Sequence, residues 1–376
     1  MASLLKKILL ILTTTFLLSI SYCLATHIVG GELNYKYLGG NDYEISLTVY
    51  RDCFNGIPPF DDPAAVGIFD SGDNLINTLY MSFTGSTPLI PTINSPCMIP
   101  PTNICYERTT YIQVVNLPPL AGGYHLAYQR CCRNNTIANI VNPGNAGATY
   151  DAFIPGPSTV TVNSNPVFNN WPPVFICVNV PFTFDHSATD LDGDSLVYEL
   201  CDPLDGASTA NPMPQPPLNP PYVPVTWQAP YSAGNILGGV PLTINPHTGI
   251  LTCTPNGQGQ FVYGVCVKEY RNGVYLSTTR RDYQVNVTDC PMLVVSSILS
   301  PTLVCGQLTA FFTNNSTGAG SYFWNFGDPF STGDTSHAPH PTYAYSDTGH
   351  YQAMLIAYSG VDTSCKDTSF GDVYVY

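Results

Sequence analysis

Positive charge is scarce in this chain. Only 12 Lys and Arg stand against 26 Asp and Glu in 376 residues, and charged residues make up 10%. No basic stripe occurs, so nucleic acid and anionic lipid surfaces are poor partners, because both are bound through neutralised phosphates. After residue 25 no apolar stretch reaches the about 18 residues that a bilayer-spanning helix requires. No membrane span is therefore expected in the mature chain. Room for long helices is also lacking, since 34 Pro and 31 Gly interrupt the sequence. Signatures of hydrolysis are missing as well. Residues 28–31 (IVGG) match the start of an activated serine protease, but no histidine lies in an AAHC context and no GDSGG string follows. GxSxG and HExxH are also absent. A triad needs acid, base and nucleophile together, so the expectation is a protein that is not an enzyme.

What is present begins at the N-terminus. Lys6 and Lys7 precede an apolar run from Ile8 to Ile20, and Ala25 offers a small residue for cleavage. That run, about 13 residues long, suits a signal-peptide core and is too short for a bilayer. Residues 1–25 are expected to be a signal peptide, and the mature chain to be secreted or held at the cell surface. Losing Lys6 and Lys7 leaves 10 basic against 26 acidic residues, a net charge of −16. Losing Cys23 leaves twelve of the 13 cysteines, for which an oxidising compartment favours pairing.

The pattern is all-β. Tyr, Thr, Val and Ile fill short alternating runs such as residues 43–50 (YEISLTVY) and 111–115 (YIQVV). Residues 66–69 and 75–80 flank a DSGDN loop, and residues 265–268 and 274–277 flank Asn272-Gly273, the strongest hairpin signal. Such strands with frequent turns argue for tandem immunoglobulin-like β-sandwich domains. A Pro/Asn-rich stretch at 156–173 and Asp289-Cys290-Pro291 mark the breaks. The expected organisation is 26–160, 161–290 and 291–376.

Residues 322–328 (YFWNFGD), 341–345 (PTYAY) and 349–355 (GHYQAML) resemble the PKD domain, an immunoglobulin-like sandwich. Pro329 replaces the glycine that the family pattern has after Asp328. In such a strand Trp324 and Phe326 point inward, Asn325 faces out, and Gly327 makes the turn. Residues 184–198 (FDHSATDLDGDSLVY) and 242–251 (LTINPHTGIL) resemble cadherin-like and bacterial Ig-like modules. Residues 163–168 (NSNPVF) are similar to a cadherin linker. Residues 26–33, 49–53 and 128–133 resemble the N-terminal region of secreted PKD-containing, gliding-motility-associated surface proteins of the Bacteroidota. That resemblance implies an adhesin-like role at the bacterial surface. Such proteins commonly end in a sorting domain, whereas this sequence stops at Tyr376 on the expected last PKD strand.

Asp190, Asp192 and Asp194 form the candidate metal site. Three carboxylates at i, i+2 and i+4 around a glycine turn can converge on one hard cation, and oxygen ligands suit Ca²⁺. The cadherin-like resemblance implies that Asp190 and Asp192 lie near Asn163 and Asn165. The same string also suits a solvated Asp-Gly turn. His337 and His340 could chelate zinc but lack a third ligand, and so read as loop residues. The 25 tyrosines and three tryptophans offer a glycan platform or, more simply, core.

Cys305 and Cys365 are alone in the PKD unit and are expected to pair. Cys97 and Cys105 bracket Pro100-Pro101 and are expected to close a small loop. Cys131 and Cys132 lie on a strand-like run, so their side chains should face opposite sides and take different partners. Five cysteines in 26–155 and five in 164–290 are odd sets. If all twelve oxidise, a bridge crosses between the first two domains, and Cys131 or Cys132 to Cys177 is the expected one. The functional expectation is a non-catalytic cell-surface or matrix protein that binds an extracellular glycan or protein. The alternative is a carbohydrate-binding accessory region of a secreted hydrolase.

Overall fold

Twelve residues form β1 (Ile28–Gly39), which reverses at Gly39 and Gly40, both at positive φ, into β2 (Asp42–Asp52). The computed structural model describes residues 28–56, 58–91, 97–299, 303–360 and 364–376, so the expected signal segment 1–25 lies outside the described residues. β3 (Ala64–Phe69), β4 (Leu75–Met81), β5 (Thr87–Pro88), β6 (Tyr106–Asn116), β7 (Tyr124–Cys131) and β8 (Gly147–Ile154) follow. Next come β9 (Val167–Phe168), β10 (Phe175–Cys177), β11 (Phe182–Asp185), β12 (Ala188–Thr189) and β13 (Ser195–Cys201). β14 (Val240–Ile244), β15 (Ile250–Thr254), β16 (Gly259–Arg271) and β17 (Val274–Thr288) complete the first unit. The protein is all-β. No helix among the described residues is long and apolar enough to cross a membrane.

An eight-stranded sheet runs β13-β16-β17-β1-β2-β6-β5, with β10 parallel to β17. Its β1 and β2 residues Leu33, Tyr35 and Leu47 pack with Val66 of β3, Leu126 of β7 and Tyr150 of β8, which belong to the sheet β4-β3-β7-β8. Val265 of β16 and Val285 of β17 instead pack with Leu242 and Leu251 of the sheet β11-β15-β14. β1 serves both cores, Ile28 in one and Val29 in the other. Two sandwiches thus share one sheet.

The expected division between 26–160 and 161–290 is therefore corrected, because this continuous sheet contains strands from both sides of it. The pairing of β1 with β17, Gly30 opposite Tyr283, makes the join. Gly30 permits it, since a Cβ there would collide with the carbonyl of Asp282. Residues 156–173 do not form a free linker either. Asn165 donates its backbone N–H to Tyr35 O and accepts from Tyr35 N, at 3.1 and 2.7 Å. The two turn signals hold. Phe69 pairs with Leu75 around the DSGDN loop, and Arg271 with Val274 around Asn272-Gly273, both at positive φ.

The second unit comprises Pro91–Thr102 with Asp289–Tyr376. Its strands are β18 (Ile298–Leu299), β19 (Leu303–Val304), β20 (Thr309–Phe311), β21 (Thr313–Asn314), β22 (Ala319–Asn325) and β23 (Thr335–Ser336). β24 (Thr342–Ala344), β25 (Gly349–Ser359) and β26 (Lys366–Val375) close it. A five-stranded sheet β19-β26-β25-β22-β23 faces the short pair β20-β24 across Trp324, Phe326, Leu355, Phe312 and Tyr345. Trp324 and Phe326 are buried, Asn325 is half-buried, and Gly327 has φ 70° where a side chain would strike Gln352 O. The expected inward and outward faces hold. The expected 291–376 boundary is extended by residues 91–102, which hydrogen-bond here through Ile99 N to Pro291 O and Leu293 N to Cys97 O.

Candidate functional site

The acidic turn lies between β12 and β13, bent at Gly193 with φ 81°. Asp190 Oδ1 accepts the backbone N–H groups of Asp192 and Asp194, both at 2.9 Å, which folds the string back on itself. One carboxylate oxygen from each of Asp190, Asp192 and Asp194 then lies within 4.8 Å of the others. The three are brought together. Burial raises the Asp190 carboxyl above its ordinary pKa, the charges of Asp194 and Asp192 add to this, and the two backbone donors oppose it. Asp190 Oδ2 is buried with no partner.

Arg271, at the end of β16, enters the same cluster. Its Nε and Nη2 each donate to Asp194 at 2.7 Å, and Nη2 lies 3.5 Å from Asp192. The guanidinium also donates to Val162 O and Asn163 Oδ1, at 2.8 and 3.0 Å. Ser164 N donates to Asp192 Oδ2 at 2.6 Å. Segment 162–164 is thus beside the aspartates, but through Ser164 and Arg271; Asn165 bonds Tyr35 and Thr279 instead. Behind lies Glu269, fully buried, with Oε1 accepting from Asn163 and Ser277 and Oε2 unpartnered. Burial pushes its carboxyl up to about 7, and the charges of Asp190 and Asp194 push the same way. Sequence reasoning missed both Arg271 and Glu269. Either could be reached only by knowing that β13 pairs with β16, Ser195 opposite Tyr270.

For a hard cation the donor chemistry is right, but a Ca²⁺ site needs about six to eight oxygens. Both oxygens of Asp194 are already given to Arg271. The fixed cation of the chain does part of what an added ion would do.

The cysteines are rearranged relative to expectation. Cys53 bonds Cys105, Cys97 bonds Cys365, Cys131 bonds Cys132, and Cys201 bonds Cys266. Cys177 and Cys290 are oxidised too, while Cys253 and Cys305 are free. The Cys97–Cys105 pairing is corrected: Cys105 lies beside Cys53, whose N–H donates to Cys105 O at 2.9 Å. The Cys305–Cys365 pairing is corrected as well. Cys305 is exposed after β19, and Cys365 is buried with Cys97, Val294 and Ala357. The Cys131 or Cys132 bridge to Cys177 is corrected too, because Cys131, the last residue of β7, and Cys132 bond each other, which leaves neither for Cys177. His337 and His340 do not converge on a ligand: one bonds Tyr322 O and the other accepts from Asn314 N.

No family model matches the chain, and no curated protein matches it. Among solved structures, the PKD1 domain of Vibrio anguillarum Epp is 23% identical over 22% of this chain and 92% of its own, with a TM-score of 0.19. A structure described as the basis for Dscam isoform specificity is 9% identical over 92% of this chain and 72% of its own, with a TM-score of 0.18. Escherichia coli alpha-2-macroglobulin activated by porcine elastase is 12% identical over 89% of this chain and 35% of its own, at 0.17. At these TM-scores the likenesses carry no functional argument.

Proposed function

We propose that this chain is an exported, modular, non-catalytic binding protein of a bacterial surface or extracellular matrix. Its β-sandwiches present loops to an extracellular glycan or protein. One observation carries the reading: ten of the twelve described cysteines are oxidised, which suits a compartment where paired thiols persist. The resemblance of its N-terminal residues to gliding-motility-associated proteins of the Bacteroidota supports the surface assignment. Ca²⁺ is part of the proposal, held by Asp190, Asp192 and Asp194 in competition with Arg271. The decisive experiment is protease shaving of intact cells followed by detection of this chain. Loss of the protein from unbroken cells, with its disulfides formed, supports the reading. Recovery of a reduced, protected chain in the cytoplasm would sink it.

A further inference from the structure

One cavity of the first unit, about 560 Å³, is lined mostly by residues with neutral polar side chains. Asn55, Asn103, Asn134, Asn135, Gln260 and Asn286 line it, with Asp52, Thr136 and the apolar Ile104 and Val287. Its volume lies within the about 300–1,000 Å³ of small-ligand sites.

The floor is a continuous hydrogen-bonded chain. Thr136 Oγ1 donates to Gln260 Oε1, and Gln260 Nε2 donates to Asn286 Oδ1 at 3.0 Å. Asn286 and Gln284 both donate to Tyr106 OH at 2.7 Å. Asn134 Nδ2 donates to Gln284 Oε1 at 3.1 Å and reaches Asp52 Oδ2 at 3.4 Å, which also accepts from Asn55 Nδ2 at 3.2 Å. Asp52, Tyr106, Asn134, Gln284 and Asn286 are all buried. Burying so many polar groups is costly unless each is bonded, and a satisfied network holds its members rigid. At the rim, Asn103 and Asn135 are exposed.

The wall chemistry selects the ligand. Among the described residues no Lys, Arg or His lines the cavity, so nothing there favours an anion. The one carboxylate, Asp52, already accepts from Phe54 N and Asn55 N at 2.8 and 2.9 Å besides the two side-chain amides, so it is not a free cation ligand. Carboxamides both donate and accept, and those of Asn103 and Asn135, which line the cavity outside this network, match a ligand covered in neutral hydroxyls. Ile104 and Val287 offer a small apolar seat for the C–H face of a ring. A peptide adding as a strand needs an open backbone edge, and those beside the cavity are taken. β17 at Asn286–Thr288 lies between β10 and β16, and Gln260 is bridged on its other side by Ile137 and Ala138.

We infer that this cavity is a binding site for a neutral saccharide unit, recognised along its hydroxyl edge by the amide-lined wall. The inference rests on the binding-protein reading above and names its ligand class. The test is saturation-transfer NMR on the exported, disulfide-bonded protein with glucose, galactose, mannose, N-acetylglucosamine and their β-linked dimers, followed by a glycan array. Asn103→Ala and Asn135→Ala should each weaken the strongest binder about fivefold, as for one lost neutral hydrogen bond, with the melting temperature unchanged. No transfer to any of these sugars, or saccharide binding indifferent to both substitutions, overturns the site. Selective capture of peptides, competed by neither sugar nor substitution, overturns it too. Array binding that ignores the substitutions leaves the broader reading standing, whereas a chain found reduced in the cytoplasm ends that reading whatever the array shows.

Discussion

Glu269 has no exposed surface, and burial holds its carboxyl at about 7, against 4.5 for an ordinary glutamate. Between those values the folded state keeps a proton that the unfolded chain has released. Its contribution is most favourable below the lower value and is lost as pH rises through the interval. We expect urea midpoints of Glu269→Gln to fall less than wild-type midpoints from pH 4.5 to 7; parallel curves would refute the assignment. His186 acts with the opposite sign, since burial depresses its pKa and costs stability as pH falls, so the comparison must be between variants. Arg271 sets a second expectation. Arg271→Gln frees Asp194 and should strengthen Ca²⁺ binding, read as a larger rise in melting temperature; at a hundredfold excess over Kd the gain is about 2.7 kcal/mol. Calorimetry showing no heat for either protein at millimolar Ca²⁺ removes the ion from the proposal. The three aspartates were legible in the sequence because their spacing is local. Arg271 was not, being 77 residues from Asp194 and joined to it only by strand pairing.

At the scale of elements, hairpins were legible and the shared sheet was not. Asn272-Gly273 carries its turn conformation in its own residue types, so β16 and β17 could be read from a dozen neighbouring positions. β1 could not be, because its first eight residues are all buried and show no alternation. That pattern belongs to a strand covered on both faces, and here β1 feeds two cores. The glycines of the IVGG string, which invite a protease comparison, have a packing reason. Gly30 meets the backbone of Asp282, and a Cβ on Gly31 would strike the Tyr150 ring. We expect Gly30→Ala to cost about 1–3 kcal/mol, as overpacked core sites do, measured by denaturant unfolding. An unchanged midpoint would mean that β1 and β17 are not so closely paired. The same strands bury Arg281 on Glu32, with Nε–Oε2 at 2.7 Å and Nη2–Oε1 at 3.0 Å. Arg281→Ala strands a buried carboxylate and should cost about 3–5 kcal/mol. Glu32→Gln in that background should recover part of the loss; no recovery would locate the cost elsewhere.

Across the whole molecule, the cysteine pattern resists reading because pairing is a statement about space. Parity requires that all twelve mature cysteines oxidise, but Cys253 and Cys305 stay free. Burial raises the Cys253 thiol to about 11, which keeps it protonated and unreactive, whereas Cys305 is open to solvent. Cys97 finds Cys365 although 268 residues separate them, because residues 91–102 belong to the second unit and not to the domain that surrounds them in sequence. A loop of that length is worth about 5.6 kcal/mol in the chain-entropy treatment, an upper value because residual structure in the unfolded chain reduces it. We therefore expect Cys97→Ala with Cys365→Ala to destabilise the second unit more than Cys53→Ala with Cys105→Ala does the first, since that loop spans 52 residues. Non-reducing peptic mapping should yield one peptide pair joining Cys97 to Cys365. Iodoacetamide should label Cys305 in the native protein and Cys253 only after unfolding. A peptide joining Cys305 to Cys365, with Cys97 alkylated, would restore the pairing that sequence alone suggests and remove residues 91–102 from the second unit.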